Sequence, residues 1–183
     1  PHHYVSGTLS GSSTSDVLRE AGSGRIVGFA ASLVQANAKW EQEGRKVRRE
    51  HRVVILPEAQ GGGLGPALSD AVASTWTATA AGKRDGQRWE YYSKTSHPRF
   101  GAYREASDAW RPTPANRTKV SDGSAKGQIA YAHEYVGAPY SFAAGEGRTA
   151  PVLLQPKRAT EQAREARKAK SKAAAKEPAA PKG

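Results

Sequence analysis

The chain has 183 residues, enough for one domain of ordinary size, and such a domain buries roughly 70% of the surface its unfolded chain exposes. Cysteine is absent, which excludes disulfides, thiolate metal sites and a cysteine nucleophile, and more than half of the net charge of +11 is concentrated in residues 157–182. No apolar run approaches the ~18 residues of a membrane span and no charged-then-apolar leader opens the sequence, so a cytoplasmic protein that does not enter a membrane is expected.

Three zones are expected: an N-terminal segment (1–15), a folded domain (16–150) and a basic Lys/Ala-rich tail (151–183). The opening "PHHYVS" is followed by the Gly/Ser/Thr stretch "GTLSGSSTS", which reads as a loop. "DVLREA" and "RIVGFAASLVQ" flank "GSG" and predict a β-hairpin. "ANAKWEQEGRKVRRE" is polar and charged and reads as a loop. "HRVVILP" (51–57) is short, apolar and rich in β-branched residues, which predicts a buried central strand. Leu64, Leu68, Val72 and Trp76 then recur every four residues, predicting one face of a helix that runs to about residue 80 with Pro66 in its first turn. "RWEYYSK" predicts a strand, "HPRFGAYREA" a short helix, and "GQIAYAHEYVG" a last strand. The tail has little apolar beyond alanine and is expected to be a fraying helix with a disordered end. The expected fold class is therefore α/β (α+β), with a mixed sheet.

Between the central strand and the following helix lies "LPEAQGGGLGPAL". A strand that feeds directly into a helix leaves the first-turn N–H groups unpaired, and the helix dipole adds about half a positive charge there. Glycines at 61, 62, 63 and 65 let several amides tilt toward one centre and let an anion approach the backbone. Each amide contributes about 0.3–1 kcal/mol, so several together can position a pyrophosphate. The nucleoside-triphosphate loop needs a Gly-Lys-Ser/Thr ending that is missing here. The dinucleotide fingerprint belongs to the first strand of a βαβ unit, whereas here a hairpin precedes.

Gln60-x-x-Gly63-x-Gly65 after "VVILPEA" resembles the acetyl-coenzyme A signature of the GNAT acetyltransferases, Gln/Arg-x-x-Gly-x-Gly/Ala. The strand wording V-x-x-x-P-E-x-Q that leads into it is similar too, and the resemblance spans roughly 16–137. "RIVGFAAS" resembles the family's glycine-bearing hairpin strand, and "SHPRFGAY" its Asn-x-x-Ala-x-x-x-Tyr segment, with Ser96 and Arg99 in place of Asn and Ala. "HHYVSG", "TSHP…YREASDAW" and "HEYVG" resemble a branch of GNAT domains fused to ATPases and small phage proteins, some of which modify DNA bases. The family's usual first strand and helix have no counterpart before residue 16, which suggests a shortened domain or part of a longer protein.

The resemblance implies a GNAT-type, mostly antiparallel sheet flanked by helices and an N-acyltransferase that moves an acyl group from acetyl-CoA to an amine. It implies that the backbone near Leu56 donates to the thioester carbonyl, and that Gln60 with the amides of Gly61, Gly62, Gly63, Leu64 and Gly65 holds the pyrophosphate. Tyr103 stands where the family's general acid does. Keeping a lysine-like amine neutral at pH 7 costs about 4.6 kcal/mol unless a base takes its proton. Glu50 is the first candidate, His51 the second, and Glu58 reads as a turn residue. With a weakly basic acceptor no base is needed and Glu50 reverts to structure. The histidines have no metal-ligand spacing, so no metal is expected; His3 and Tyr4 would line the acceptor pocket if the finer resemblance holds. The alternative is a degenerate GNAT domain that binds nucleic acid or regulates, gripping phosphates through the tail and "RKVRREHR". The acceptor is not legible.

Overall fold

The computed structural model describes residues 12–78, 88–121 and 126–141. His2, His3, Tyr4, most of the N-terminal segment and the basic tail lie outside the described residues. The fold is a mixed α/β arrangement with a mostly antiparallel seven-stranded sheet flanked by helices.

The hairpin is β1 (Thr14–Arg19) and β2 (Ile26–Gln35), antiparallel, with the Gly24 amide donating to the Glu20 carbonyl across the turn. The stretch expected to be a loop is instead a short helix and half of a long strand. Asn37 caps α1 (Ala38–Gln42), its Oδ1 accepting from the amides of Lys39 and Trp40, and Gly44, with φ of 67°, turns the chain out of it. The next strand, β3 (Arg45–Ile55), thus starts six residues before the apolar run. Its charged half is ordered because its charges are partnered. Arg45 pairs with Glu90 through two hydrogen bonds, and the Arg48 guanidinium lies 3.5 Å from the centre of the Trp76 ring while donating to Ser32.

A 3-10 turn (Pro57–Ala59) leads to α2 (Leu64–Ala78), then β4 (Arg88–Thr95) and α3 (Pro98–Glu105). Three more strands follow: β5 (Trp110–Pro112), β6 (Thr118–Lys119) and β7 (Ile129–Tyr135). The first two are absent from the sequence pattern because runs of three and two residues carry no period; pairing to β7 defines them. The sheet order is β1-β2-β3-β4-β7-β5, with β6 also on β7, and β3–β4 is its parallel pair.

The apolar face of α2 packs as its spacing predicts. Leu68, Val72 and Ala73 meet Ala30, Ile55, Tyr91, Trp110 and Tyr135, with Leu64 and Trp76 at the margin. Each large side chain so buried contributes about 1.5–3 kcal/mol. The β2–β3 register shifts between Ala31 and Ser32, which face Arg52 and Glu50, so His51 is the extra residue of a β-bulge. The bulge changes which residues meet the helices. Before it these are Arg48 and Glu50; after it they are Val53 and Ile55. Among the described residues no helix is long and apolar enough to cross a membrane.

Helix α3 lies against β7 so closely that only glycine fits at the contact. A Cβ on Gly101 would sit 2.2 Å from Cγ of Tyr131, at the base of the ring rather than at its far end. Gly101→Ala is expected to cost about 2 kcal/mol or more in urea denaturation through overpacking. Gly22→Ala, which meets nothing within 4 Å, should stay close to wild type.

Candidate functional site

Backbone pairing between β3 and β4 ends at Arg49 and Tyr92. Beyond that point β4 continues on β7 through Thr95, while β3 continues on β2 alone. The two strands part, and a cleft of about 580 Å³ opens between residues 50–55 of one and 94–97 of the other. Its floor runs to the glycine turn, and Phe100 of α3 closes one side.

The alternation of an antiparallel ladder fixes which strand groups face this cleft. The Leu56 amide donates to the Val27 carbonyl at 2.8 Å, which directs residues 54 and 56 toward β2 and residues 53 and 55 toward the gap. The expectation for Leu56 is therefore corrected: its N–H closes the sheet, and the N–H groups of Val53 and Ile55 are the ones directed into the opening. The Ile55 carbonyl on that edge accepts from Gln60 Nε2 at 2.8 Å. Gln60 thus spends its side chain clasping the turn to the strand.

The turn itself is open. Gly61 and Gly63 have φ of 88° and 76°, a left-handed conformation that L side chains resist, and a Cβ on Gly61 or Gly62 would meet nothing within 4 Å. Gly65 faces Phe100 and Ile55 at ordinary contact distance. Among the described residues, the amides of Gly61, Gly62, Gly63, Leu64 and Gly65 have no internal acceptor, whereas the next amide, Ala67, bonds the Gly63 carbonyl as α2 begins. Five consecutive N–H groups at a helix N-terminus are thus left for an external acceptor. Of this set Gly61, Gly63, Leu64 and Gly65 line the cleft, as does Gln60 before them.

Glu50 also borders the cleft, yet its carboxylate is spoken for. Oε1 accepts from Ser93 at 2.9 Å and from Arg104 at 2.6 Å, and Oε2 accepts from Ser69 at 2.5 Å. Arg104 is fully buried, its guanidinium between the rings of Phe100 and Trp110 at 4.2 and 4.6 Å. Both oxygens are thus engaged within the protein, and neither is turned to the cleft without a partner. Glu50 therefore ties β3 to β4, α2 and α3. His51, carried on the bulge, lines the cleft beside it.

Tyr103 lies outside the residues that line the cleft, and its hydroxyl donates to Asp70 at 2.6 Å. Asp70 also accepts from Trp110 Nε1 at 2.8 Å. The phenol thereby ties α3 to α2, and a proton-donating role would require that bond to break. Glu58 pairs with Arg25 at 3.0 Å across the start of the turn. Sequence reasoning missed Ser69, Ser93, Asp70 and Arg104. The available signal was polarity at positions whose pattern calls for apolar residues, Ser69 on the buried side of α2 and Ser93 on the buried side of β4.

Within "RKVRREHR", Arg45 is paired and Arg48 and Arg52 are buried, while Lys46 and Arg49 are partly exposed. Among the described residues no group of three acidic or histidine side chains could hold a metal ion.

No protein-family model and no curated protein matches the sequence. Among solved structures, the chain is similar to NAA60 of Arabidopsis thaliana in complex with a bisubstrate analogue, at 13% identity over 68% of this chain and 75% of that one, with a TM-score of 0.45. It is also similar to a Trypanosoma brucei acetyltransferase, at 21% identity over 60% of this chain and 68% of that one (TM-score 0.41). A third is a chimera of spermidine N-acetyltransferase SpeG from Vibrio cholerae and hSSAT, at 14% identity over 69% and 66% (TM-score 0.46). Likenesses this remote carry no weight for what the chain does.

Behind Glu50, His133 is fully buried on β7, and neither ring nitrogen has a hydrogen-bond partner among the described residues. Burial first, and then the nearby Arg104 charge, lower its pKa from the ordinary 6.5. The unfolded chain therefore takes up a proton on this histidine at a higher pH than the folded chain does. Stability is full above about 6.5 and declines as the pH falls from there through the lowered value. Urea midpoints should drop between pH 7.5 and pH 5, and His133→Gln should flatten that drop. Glu20 and Glu105, with pKa values of about 2, titrate well below this window.

Proposed function

We propose that this chain is a GNAT-type, coenzyme A-dependent N-acyltransferase, with the glycine turn and the β3–β4 gap as the site of the acyl donor. The observation that carries the reading is the run of five amides, Gly61 to Gly65, without internal acceptors at the mouth of a cleft between parted parallel strands. A pyrophosphate ester joined to a slender amide-bearing arm fits both halves of this feature. The turn offers amides with no Cβ in the way, and the strand edge offers the N–H groups of Val53 and Ile55 to an extended chain laid beside it.

In this reading the thioester supplies the activated acyl group, and this chain's residues hold and orient. The glycine amides and the α2 dipole bind the diphosphate, with Gln60 keeping the turn against Ile55. The Val53 and Ile55 amides align the arm and its carbonyl. Glu50 and Tyr103 are positioning residues, the first fixing where the strands part and the second locking α2 to α3. His51 lines the cleft beside the gap. The acceptor is an amine; its nitrogen gains the acyl group and the thiol is released.

Gly63→Asp places a carboxylate against the diphosphate and a side chain at a positive φ. Calorimetry should show saturable coenzyme A binding by the wild type and a loss of at least about tenfold, or 1.4 kcal/mol, in the variant. Far-UV circular dichroism should be unchanged. Equal affinity in a folded variant would remove the glycine turn from the site. Salt-sensitive nucleic-acid binding without coenzyme A binding would replace the transferase reading by the binding-module one.

A further inference from the structure

The face of the sheet opposite α2 carries an unbalanced charge where the strands part. Trp89, Tyr91 and Ser93 of β4 turn toward the helices, to Trp76, the core and Glu50, so Tyr92 and Lys94 point the other way. Arg48 and Glu50 turn toward the helices on β3, so Arg49 shares the face of Tyr92, its register partner. The acids on this face already have cationic partners: Arg45 holds Glu90 at 2.6 Å and Glu43 at 3.0 Å, and Arg111 holds Glu134 at 2.6 Å. Tyr92 adds no negative charge, because burial and then the Glu134 and Glu90 charges push its pKa up to about 12. Among the described residues Arg49 and Lys94 have no acidic partner.

Their placement is specific. Arg49 is the last β3 residue paired to β4, and Lys94 is two residues past that point on the other arm of the opening, exposed and lining the cleft. Strand spacing and rise put their Cα atoms about 8 Å apart, within reach of one shared anion for two long cationic side chains. Among the described residues α2 and α3 cover the other side of the gap, and this side is left for a second molecule.

We propose that the acceptor amine belongs to a molecule that also carries an anionic group, a carboxylate or a phosphate, and that Arg49 and Lys94 hold that group. Only the word acceptor rests on the acyl-transfer reading; the anion site stands on the charge arrangement. A polyamine, cationic along its length, is disfavoured by the same two side chains.

The full chain, labelled with 15N, is titrated without coenzyme A with glutamate and with glucosamine 6-phosphate, and in parallel with glucosamine and putrescine. Amide shifts at residues 92–94 and 49–52 are expected with at least one anionic amine, and the two arms separate carboxylate from phosphate. Lys94→Gln and Arg49→Gln should each weaken that binding about fivefold, with a smaller loss at high salt. Each variant's spectrum away from the site serves as the folding control. Equal binding by glucosamine or putrescine overturns the proposal. So does an absence of shifts, or shifts confined to residues 61–65, where the glycine turn alone would be holding the anion. A separate coenzyme A titration read at 61–65 reports on the transferase reading, so the two failures are distinguishable.

Discussion

The structure depends on one buried carboxylate. Glu50 stands immediately after the last β3 residue paired to β4, and its two oxygens collect Ser93 of β4, Ser69 of α2 and Arg104 of α3. Four elements meet on that group. A buried ion pair adds little to stability when compared with well-packed apolar side chains of the same volume, whereas removing one partner costs about 3–5 kcal/mol. What this pair supplies is position: a polar bridge across β3 and β4 at the residue where their backbones stop pairing. An apolar pair there would pack, but it would not fix four donors and acceptors in one arrangement.

The parting of the strands sets up everything beyond it. Once β4 turns to β7, the outer edge of β3 keeps the Val53 and Ile55 amides facing open space. The bulge at His51 changes the phase of β3, so Val53 and Ile55 reach the core under α2 while that edge stays accessible. The chain then leaves through the glycine turn straight into α2, which places at the foot of the gap five N–H groups without a partner among the described residues. A strand edge and a helix N-terminus, each common alone, here border one cleft.

Much of this was legible in particular residues. "VVILPEAQGGGLG" announced a buried strand, an abrupt turn and a helix, because β-branching, four glycines and the four-residue spacing of Leu64, Leu68, Val72 and Trp76 each have a direct backbone meaning. The first half of β3 was hidden because Arg45, Arg48 and Glu50 look like solvent-facing charges until their partners Glu90, Trp76 and Arg104 are known, and all of these lie far off in sequence. The same blindness affected the site. Glu50 as an isolated residue reads as a base; with three donors around it, it is a fixed tie between elements. Tyr103 reads as a free phenol until Asp70 is seen to accept its hydrogen bond, and the Leu56 amide as a free donor until Val27 is seen across from it. Motifs reported the backbone well and side-chain roles poorly, because roles are set by long-range neighbours.

The most direct measurement is backbone amide exchange at Gly61, Gly62, Gly63, Leu64 and Gly65, followed with and without coenzyme A. The account predicts that all five exchange rapidly in the free protein and become protected when the ligand is added, while the Leu56 amide is slow in both. Slow exchange at the turn without ligand, or rapid exchange that saturating coenzyme A leaves unaltered, would contradict it.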